Sequence, residues 1–537
     1  MAITDDLCRS WLDLLWHFDP AAGSLAGAPG ADVRLGRFDP GTVREHLAAA
    51  RAIAIALEDL ALDDVADEID RTALLADLRQ RIARFELDQP HVRNPGFWLD
   101  HLGRALLALR EPGPDPEGRS EALLARLHDV PDFLTTARAT LRRPPVVLAD
   151  AAVAMVPALV EFIHDLAASY DDLLSDRPGE LAGAATEAEA ALTRLRLALI
   201  NELGPDEDPH GASLGEERYG WILHHAFMLR ASAGEAWRWG NTVAEQVEAE
   251  VATLARQINP DQPWQETFEA LREESLITGD LLEAGALALA GMRQATGSLD
   301  LAGLSAGELS VREAPTWVAT LAPFTFYEPP SPRGAESTGT LYLVAPSGPL
   351  DPESAAWRRG ELDAHRLAVL AAHDGWPGRH AQALAAAGAR SEVRRWVTSP
   401  IAVAGWGCYA EELMVESGPL AGPAERLSQR VLLLVRALRV VIDAGIHTSQ
   451  LTPGAAMELL MTRVPMDRHA ALAEVRRVCS DPGAAAAFAL GRRELLDLRS
   501  SWRRQAGAAV PLRQFHEEVL SFGRLPVTLI RWGMGVE

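Results

Sequence analysis

Lysine is absent from this 537-residue sequence, so every basic side chain is an arginine. The formal net charge is -24, which repels nucleic acid and excludes it as a partner. Scattered arginine on an acidic chain reports solubility and codon bias as much as function, and no partner is drawn from charge alone. Cysteine is scarce too. Cys8, Cys408 and Cys479 have neither the even count of a disulfide framework nor the spacing of a CxxC metal knuckle, so a reducing compartment is expected. No run of 18 or more apolar residues is visible, and the opening MAITDDLCRSWLDLLW carries acid where a signal peptide carries base. The expectation is a cytoplasmic protein with no membrane partner. A fixed-period repeat is also missing, which excludes a solenoid.

What is present describes a compact, soluble chain: 48% hydrophobic and 23% charged residues. Its length permits several domains or one large two-lobed one. From Asp5 to about Arg110 apolar residues recur every three or four positions, as in Val43 to Leu62 and Arg71 to Leu87, which predicts amphipathic helices. Breaks are expected at Pro20 to Pro40, Gln89 to Gly96 and Glu111 to Gly118. The helical reading resumes over Ala151 to Leu174, Ala184 to Leu203, Glu217 to Trp239 and Thr242 to Gln257. Between Ser310 and Pro346, the runs WVATLAPFTFYEPP and GTLYLVAP are rich in β-branched and aromatic residues and predict a small sheet, with a loop at Ser331 to Gly339. Helices then continue from Asp363 to the end, with stops at Pro400, Gly418 to Gly422, Pro453 and Pro482.

The most distinctive segment is His373-Asp374-Gly375-Trp376-Pro377-Gly378-Arg379-His380-Ala381-Gln382. A Pro-Gly pair inside a helical stretch removes a hydrogen bond and weakens the helix, so it needs a compensating reason. This segment resembles the HExxPGHHLQ motif of the bacterial family called domain of unknown function 885. AGWGCYAEEL at Ala404 to Leu413 resembles that family's EGWALYAE, and VVIDAGIHTSQLTPGAAMELL at Val440 to Leu460 its VDTGIH helix and the next. RVCSDPGAAAAFALG at Arg477 to Gly491 and FHEEVLSFGRLP at Phe515 to Pro526 resemble its closing segments. RNPGFWLDHL at Arg93 to Leu102 and FYEPPS at Phe326 to Ser331 also fit, so the resemblance spans nearly the whole chain.

The resemblance implies a mainly α architecture: a single domain over 1–537 with the large two-lobed helical metallopeptidase-like fold, a deep cleft and one small β-sheet. The lobes would be approximately 1–305 and 306–537. It implies a gluzincin-like site in which a His pair and a downstream Glu hold zinc while a second Glu activates water. Zinc takes three N or O ligands plus an open position, and a carboxylate beside the bound water accepts its proton. Here the carry-over is incomplete. His373 matches the first ligand, Asp374 replaces the base with a side chain one methylene shorter, Arg379 replaces the first of an adjacent His pair, and His380 keeps the second. Ala404 stands where the third ligand would be, and Glu411 is the nearby carboxylate that keeps its family position. Ala484 and Phe488 replace a Gln and a Tyr. In a straight helix His373 and His380 would share a face about 10 Å apart, too far for one ion.

The changes fall on polar, site-like positions while the apolar and Pro-Gly scaffold is kept. That pattern suggests a pocket whose zinc-dependent hydrolysis was dropped or replaced, with Arg379 as a fixed cation paired to Asp374 or Glu411. The expected catalytic residues are then Asp374, Arg379 and His373, with Trp376, Tyr409, His447 and Arg477 binding ligand, and no cofactor. The alternative is an active zinc peptidase or amidase using His373, His380 and Glu411. A helical interaction protein is the third reading. The ligand expected is a small molecule or short peptide in a helical cleft. Beside these stand plainer readings: His373 and His380 as hydrogen-bonded core histidines, Asp374 and Glu411 as partners of buried arginines, Asp443 and His447 as a local pair, and Cys408 as a small packing residue.

Overall fold

The computed structural model describes residues 3–537 except 112–114, 171–172, 175–176, 300, 323, 333–337, 345–361 and 508. Parts of the expected break at Glu111 to Gly118, of the loop Ser331 to Gly339 and of the GTLYLVAP run lie outside the described residues. The chain forms two compact units that interleave along the sequence. One comprises residues 1–61, 78–212 and 315–320, the other 62–77, 213–314 and 321–537.

In the first unit several helices start where the sequence sets Asp before Pro. Asp19, Asp39 and Asp115 each cap a helix by accepting from backbone N–H groups, and Pro20, Pro40 and Pro116 supply a first turn that needs no N–H. The stretch expected to be a break from Pro20 to Pro40 therefore contains a short helix, Pro20–Ala26. Helix Glu180–Asn201 packs on both Pro116–Thr140 and Val146–Ser169, and the latter also packs on Pro95–Leu107. Val146–Ser169 has no unbroken apolar run of 18 residues, since Asp150, Glu161 and Asp165 interrupt it, yet by length and mean hydropathy it could cross a membrane. Its face of Leu148, Met155, Leu159, Ile163 and Leu166 is buried in the unit, as the core helix of a folded domain would be. Gly103 lets the Trp317 ring approach closely, since a Cβ there would lie 2.6 Å from the indole.

The second unit pairs helix Ala233–Ile258 with helix Pro423–His447, and helix Pro400–Ser417 with helix Ala487–Ala506. The expected single helix over Glu217 to Trp239 is broken. A helix Glu216–Trp221 runs into a wide π-type turn, Met228 takes a left-handed φ of 55°, and a new helix starts at Ser232 with a capping box to Glu235. Gly405 and Gly491 bring their two helices into backbone contact: a Cβ on Gly491 would lie 2.0 Å from the Ile401 carbonyl oxygen.

The small sheet is present. Strands β1 (Leu309–Glu313), β2 (Thr325–Glu328) and β3 (Gly339–Leu343) lie in the order β1-β3-β2. β1 runs parallel to β3, with Leu309 opposite Gly339, and β2 runs antiparallel to it, with Thr325 opposite Leu343. The first part of the WVATLAPFTFYEPP run is not strand, because Thr316–Thr320 forms a 3-10 turn whose Trp317 and Val318 are buried. The chain is thus mainly helical with one small three-stranded sheet, as expected.

Candidate functional site

Helix Pro423–His447 is almost wholly buried from Leu427 onward, yet Arg436, Arg439, Asp443 and His447 recur along it at steps of three and four. That spacing lines them up on one face, and burial obliges each to find a partner. Arg436 Nη1 donates to Glu411 Oε2 at 2.5 Å. Arg439 grips the Glu474 carboxylate with two hydrogen bonds, one of 2.9 Å, and Arg477 Nη2 donates to the same carboxylate at 2.9 Å. Asp443 accepts from the Gly483 and Ala486 N–H groups, both at 3.0 Å. His447 Nε2 donates to the Val478 carbonyl oxygen at 3.0 Å.

The Pro-Gly motif sits opposite this stripe. Asp363 caps a short helix, Ala364–Leu370, which widens into a π-type turn over Ala371–Gly375. Trp376 is extended, and a new helix, Arg379–Ala387, follows. Such widened turns free a side chain from the regular helical register. Gly378 is required at the joint, since a Cβ there would lie 2.0 Å from the His373 carbonyl oxygen. The His373 ring rests where Gly407 has no side chain, with a Cβ at that position falling 2.6 Å from its Nε2, and stacks on Phe488 at 5.7 Å between centroids.

His373 Nδ1 lies 2.7 Å from Glu411 Oε1. A carboxylate at that distance needs a proton between the two atoms, so Nδ1 carries the hydrogen and Nε2 keeps its lone pair. Burial lowers the His373 pKa, the Arg436 charge lowers it further, and the Glu411 carboxylate only partly opposes them, so the ring is neutral at pH 7. Burial alone would raise the Glu411 pKa, but Arg436 and the His373 hydrogen bond outweigh it and hold the carboxyl below its usual value. Glu474 is a similar case: burial pushes it up, and Arg439 and Arg477 bring it down to about 2. Nearby, Arg379 Nη1 donates to Asp374 Oδ1 at 3.0 Å, and the Thr325 hydroxyl donates to Asp374 Oδ2 at 3.0 Å.

These groups border a cavity of about 80 Å³. Its polar wall is Thr325, His373, Asp374, Arg379, Arg436, Arg439 and Arg477, and its apolar wall includes Phe324, Leu370, Leu432, Val435 and Phe488. The structure therefore brings together His373, Asp374, Arg379 and Arg477 of the expected site, and sets Glu411 directly behind His373. It does not bring in the others. Trp376 is buried and donates to the Ala306 carbonyl oxygen at 2.8 Å. Tyr409 is buried against His516, with its hydroxyl 2.7 Å from Nε2, and burial raises its pKa. His447 is fully buried and stacks on Tyr219, and its approach to Asp443, at 3.8 Å, is looser than its bond to Val478. These three side chains are core, not cavity wall.

The alternative metal set of His373, His380 and Glu411 is not assembled. The break at Pro377-Gly378 carries His380 toward the sheet, where its Nδ1 lies 3.1 Å from the Tyr327 hydroxyl and burial depresses its pKa to about 4. The plain reading of a core histidine holds for it. Among the described residues, the group that could reach one ion is His373, Cys408 and Glu411, with donor atoms within 4.8 Å of one another. That set does not fit a divalent cation. Both Glu411 oxygens are engaged by His373 and Arg436, and Arg436 Nη2 also lies 3.3 Å from His373 Nδ1, so a fixed positive charge already occupies the set.

Sequence reasoning missed Arg436, Arg439, Glu474, Thr325 and Gly407. A signal for the arginines was available, because two charges three apart inside the run VLLLVRALRVVI must be paired if that helix is core.

Two solved structures share the fold. One is a candidate lipoprotein of unknown function from Shewanella oneidensis, with a TM-score of 0.76 and 19% identity, covering 99% of this chain and all of that one. The other is a candidate lipoprotein from Colwellia psychrerythraea, with a TM-score of 0.82 and 16% identity, covering 99% of this chain and 98% of that one. At such identities the likeness is one of fold. No curated protein matches the sequence. The family of bacterial proteins of unknown function DUF885 matches residues 20–534, and the chain belongs to that family.

Proposed function

We propose that this chain is a divergent, metallopeptidase-like member of its family that has dispensed with zinc, a pseudopeptidase whose cavity holds a peptide-like or amino-acid-like ligand. The observation that carries the reading is the 3.0 Å ion pair between Arg379 and Asp374 on the cavity wall. By resemblance, Asp374 stands where a water-activating carboxylate would be, and here a fixed cation is seated on it. The remaining polar positions support the same reading. Ala404 offers no ligand atom, His380 is turned into the core, and Glu411 is committed to His373 and Arg436.

A second reading, a metal-independent enzyme, is favoured by one observation. Glu411 fixes the His373 tautomer with Nε2 unprotonated, and the depressed pKa keeps it so at neutral pH. A neutral imidazole oriented by a buried carboxylate can accept a proton from a bound ligand. On this reading Glu411 orients, His373 moves the proton, and Arg379 and Arg436 stabilise negative charge.

Elemental analysis of protein grown with zinc tests the proposal. The expected result is far less than one zinc per chain, with uptake gained by the double substitution Ala404→Glu, Arg379→His. One tightly held zinc per wild-type chain would overturn it and restore the zinc hydrolase.

A further inference from the structure

We infer that the cavity is a binding site for small monocarboxylates, taking the anionic group on spare guanidinium donors and a short aliphatic tail on Leu370, Leu432 and Val435. The inference rests on the metal-free reading, because a divalent cation at His373 would claim the anion for itself.

Three observations carry it. The first is donor count. A guanidinium carries five N–H donors. Arg379 gives one to a protein acceptor, Asp374, and Arg477 gives one, to Glu474. The Nε of each is buried without a hydrogen-bond partner among the described residues. Those two atoms are themselves closed off, so an acceptor entering the cavity would pair with the terminal Nη groups of the two side chains.

The second is charge. Four arginines line the cavity, and the carboxylates paired with them are Asp374, Glu411 and Glu474, so with neutral His373 the balance is 4 − 3 = +1. In a chain of net charge -24 this is a local inversion of sign. One negative charge neutralises it. A dianion would overshoot, and a polyanion would be repelled by the rest of the molecule.

The third is size and lining. At about 80 Å³ the cavity has room for roughly six waters, at about 10–15 Å³ each. That suits a carboxyl group with a tail of a few carbons and is too small for a peptide of several residues. Leu370, Leu432 and Val435 supply a stretch of wall without a hydroxyl or amide, where a short tail meets no polar partner. The planar fork of arginine matches the two oxygens of a carboxylate better than a single-point acceptor.

The test is calorimetric titration of the full chain with butyrate, its neutral isostere butyramide and inorganic phosphate, with zinc measured on the same preparation. Butyrate is expected to bind, and butyramide and phosphate to bind at least about tenfold more weakly. Arg477→Gln and Arg379→Gln should each weaken butyrate at least about tenfold, the loss of one charge-assisted hydrogen bond. Both variants are expected to fold, because Arg439 still holds Glu474 and Thr325 still holds Asp374. Butyramide or phosphate matching butyrate would overturn the carboxylate assignment, as would unchanged butyrate affinity in both variants. A zinc-free protein that ignores butyrate would refute this inference alone, whereas one zinc per chain would refute the reading beneath it.

Discussion

Removing Glu411 from its partner Arg436 should be among the most damaging conservative changes in this chain. Glu411 is 0% exposed and Arg436 3%, and they meet at 2.5 Å. Glu411→Gln leaves the guanidinium in the core without its hydrogen-bonded carboxylate, with only the more distant Asp374 charge, and takes the carboxylate from His373 Nδ1. Breaking one side of a buried pair costs about 3–5 kcal/mol, most of it the desolvation of the orphaned charge. Arg436→Met orphans the carboxylate instead and should cost a similar amount. The double variant removes both desolvation penalties, so it should be more stable than either single one, which makes the coupling energy larger than a single loss, about 3–5 kcal/mol or more. Urea unfolding at pH 7, followed by tryptophan fluorescence across the four proteins, gives the cycle. The sign with pH is also fixed. The Glu411 pKa is lowered on folding, so its contribution is present above the ordinary glutamate value of 4.5 and is lost as pH falls through the lowered one. Single variants within about 1 kcal/mol of wild type, or strictly additive effects, would refute the claim that the pair is a coupled buried unit.

Two further outcomes follow from the same geometry. Gly491→Ala drives a methyl into the Ile401 backbone, where no side chain can move aside, so the two site helices must part. A loss of more than about 1–3 kcal/mol is expected, read as a lower thermal midpoint, and an unchanged midpoint would sink the argument. Burial holds the Asp443 pKa at about 7, against an ordinary 3.8, despite two backbone N–H donors. A raised carboxyl contributes stability that is full below its unfolded value and is lost as pH climbs through the folded one. Relative to Asp443→Asn, wild type should therefore lose about 3 kcal/mol between pH 4 and 7, and parallel pH profiles would refute it.

Much of the helical framework was legible because apolar periodicity is a local signal, as over Val43 to Leu62, where the helix runs Pro40–Glu58, whereas the Asp-Pro start at Asp19-Pro20 reads as a break. The sheet was legible from its β-branched and aromatic residues, though not the 3-10 turn at Thr316–Thr320, whose Trp317 is placed by packing against Gly103. Of the two partners the resemblance left open for Arg379, the structure pairs it with Asp374, because Arg436 holds Glu411. What stayed hidden was decided across the fold: His380 was carried away by a turn at Gly378, and Arg436 reached Glu411 from a helix 25 residues further along. Tyr409, His447 and Trp376 read as site residues because they lie beside motif positions, yet sequence proximity says nothing about which way a side chain faces.

The four guanidinium groups around the cavity have one more consequence. Even Arg439, whose pKa burial lowers to about 10, keeps its proton well above neutrality, so the positive lining is constant from mildly acid to mildly alkaline solution. A change in occupancy across that range therefore comes from the guest molecule, from the His373 imidazole or from Asp443, whose pKa of about 7 lies within it. The variant Asp443→Asn removes the last of these, so the curve it gives reads the guest and the imidazole alone.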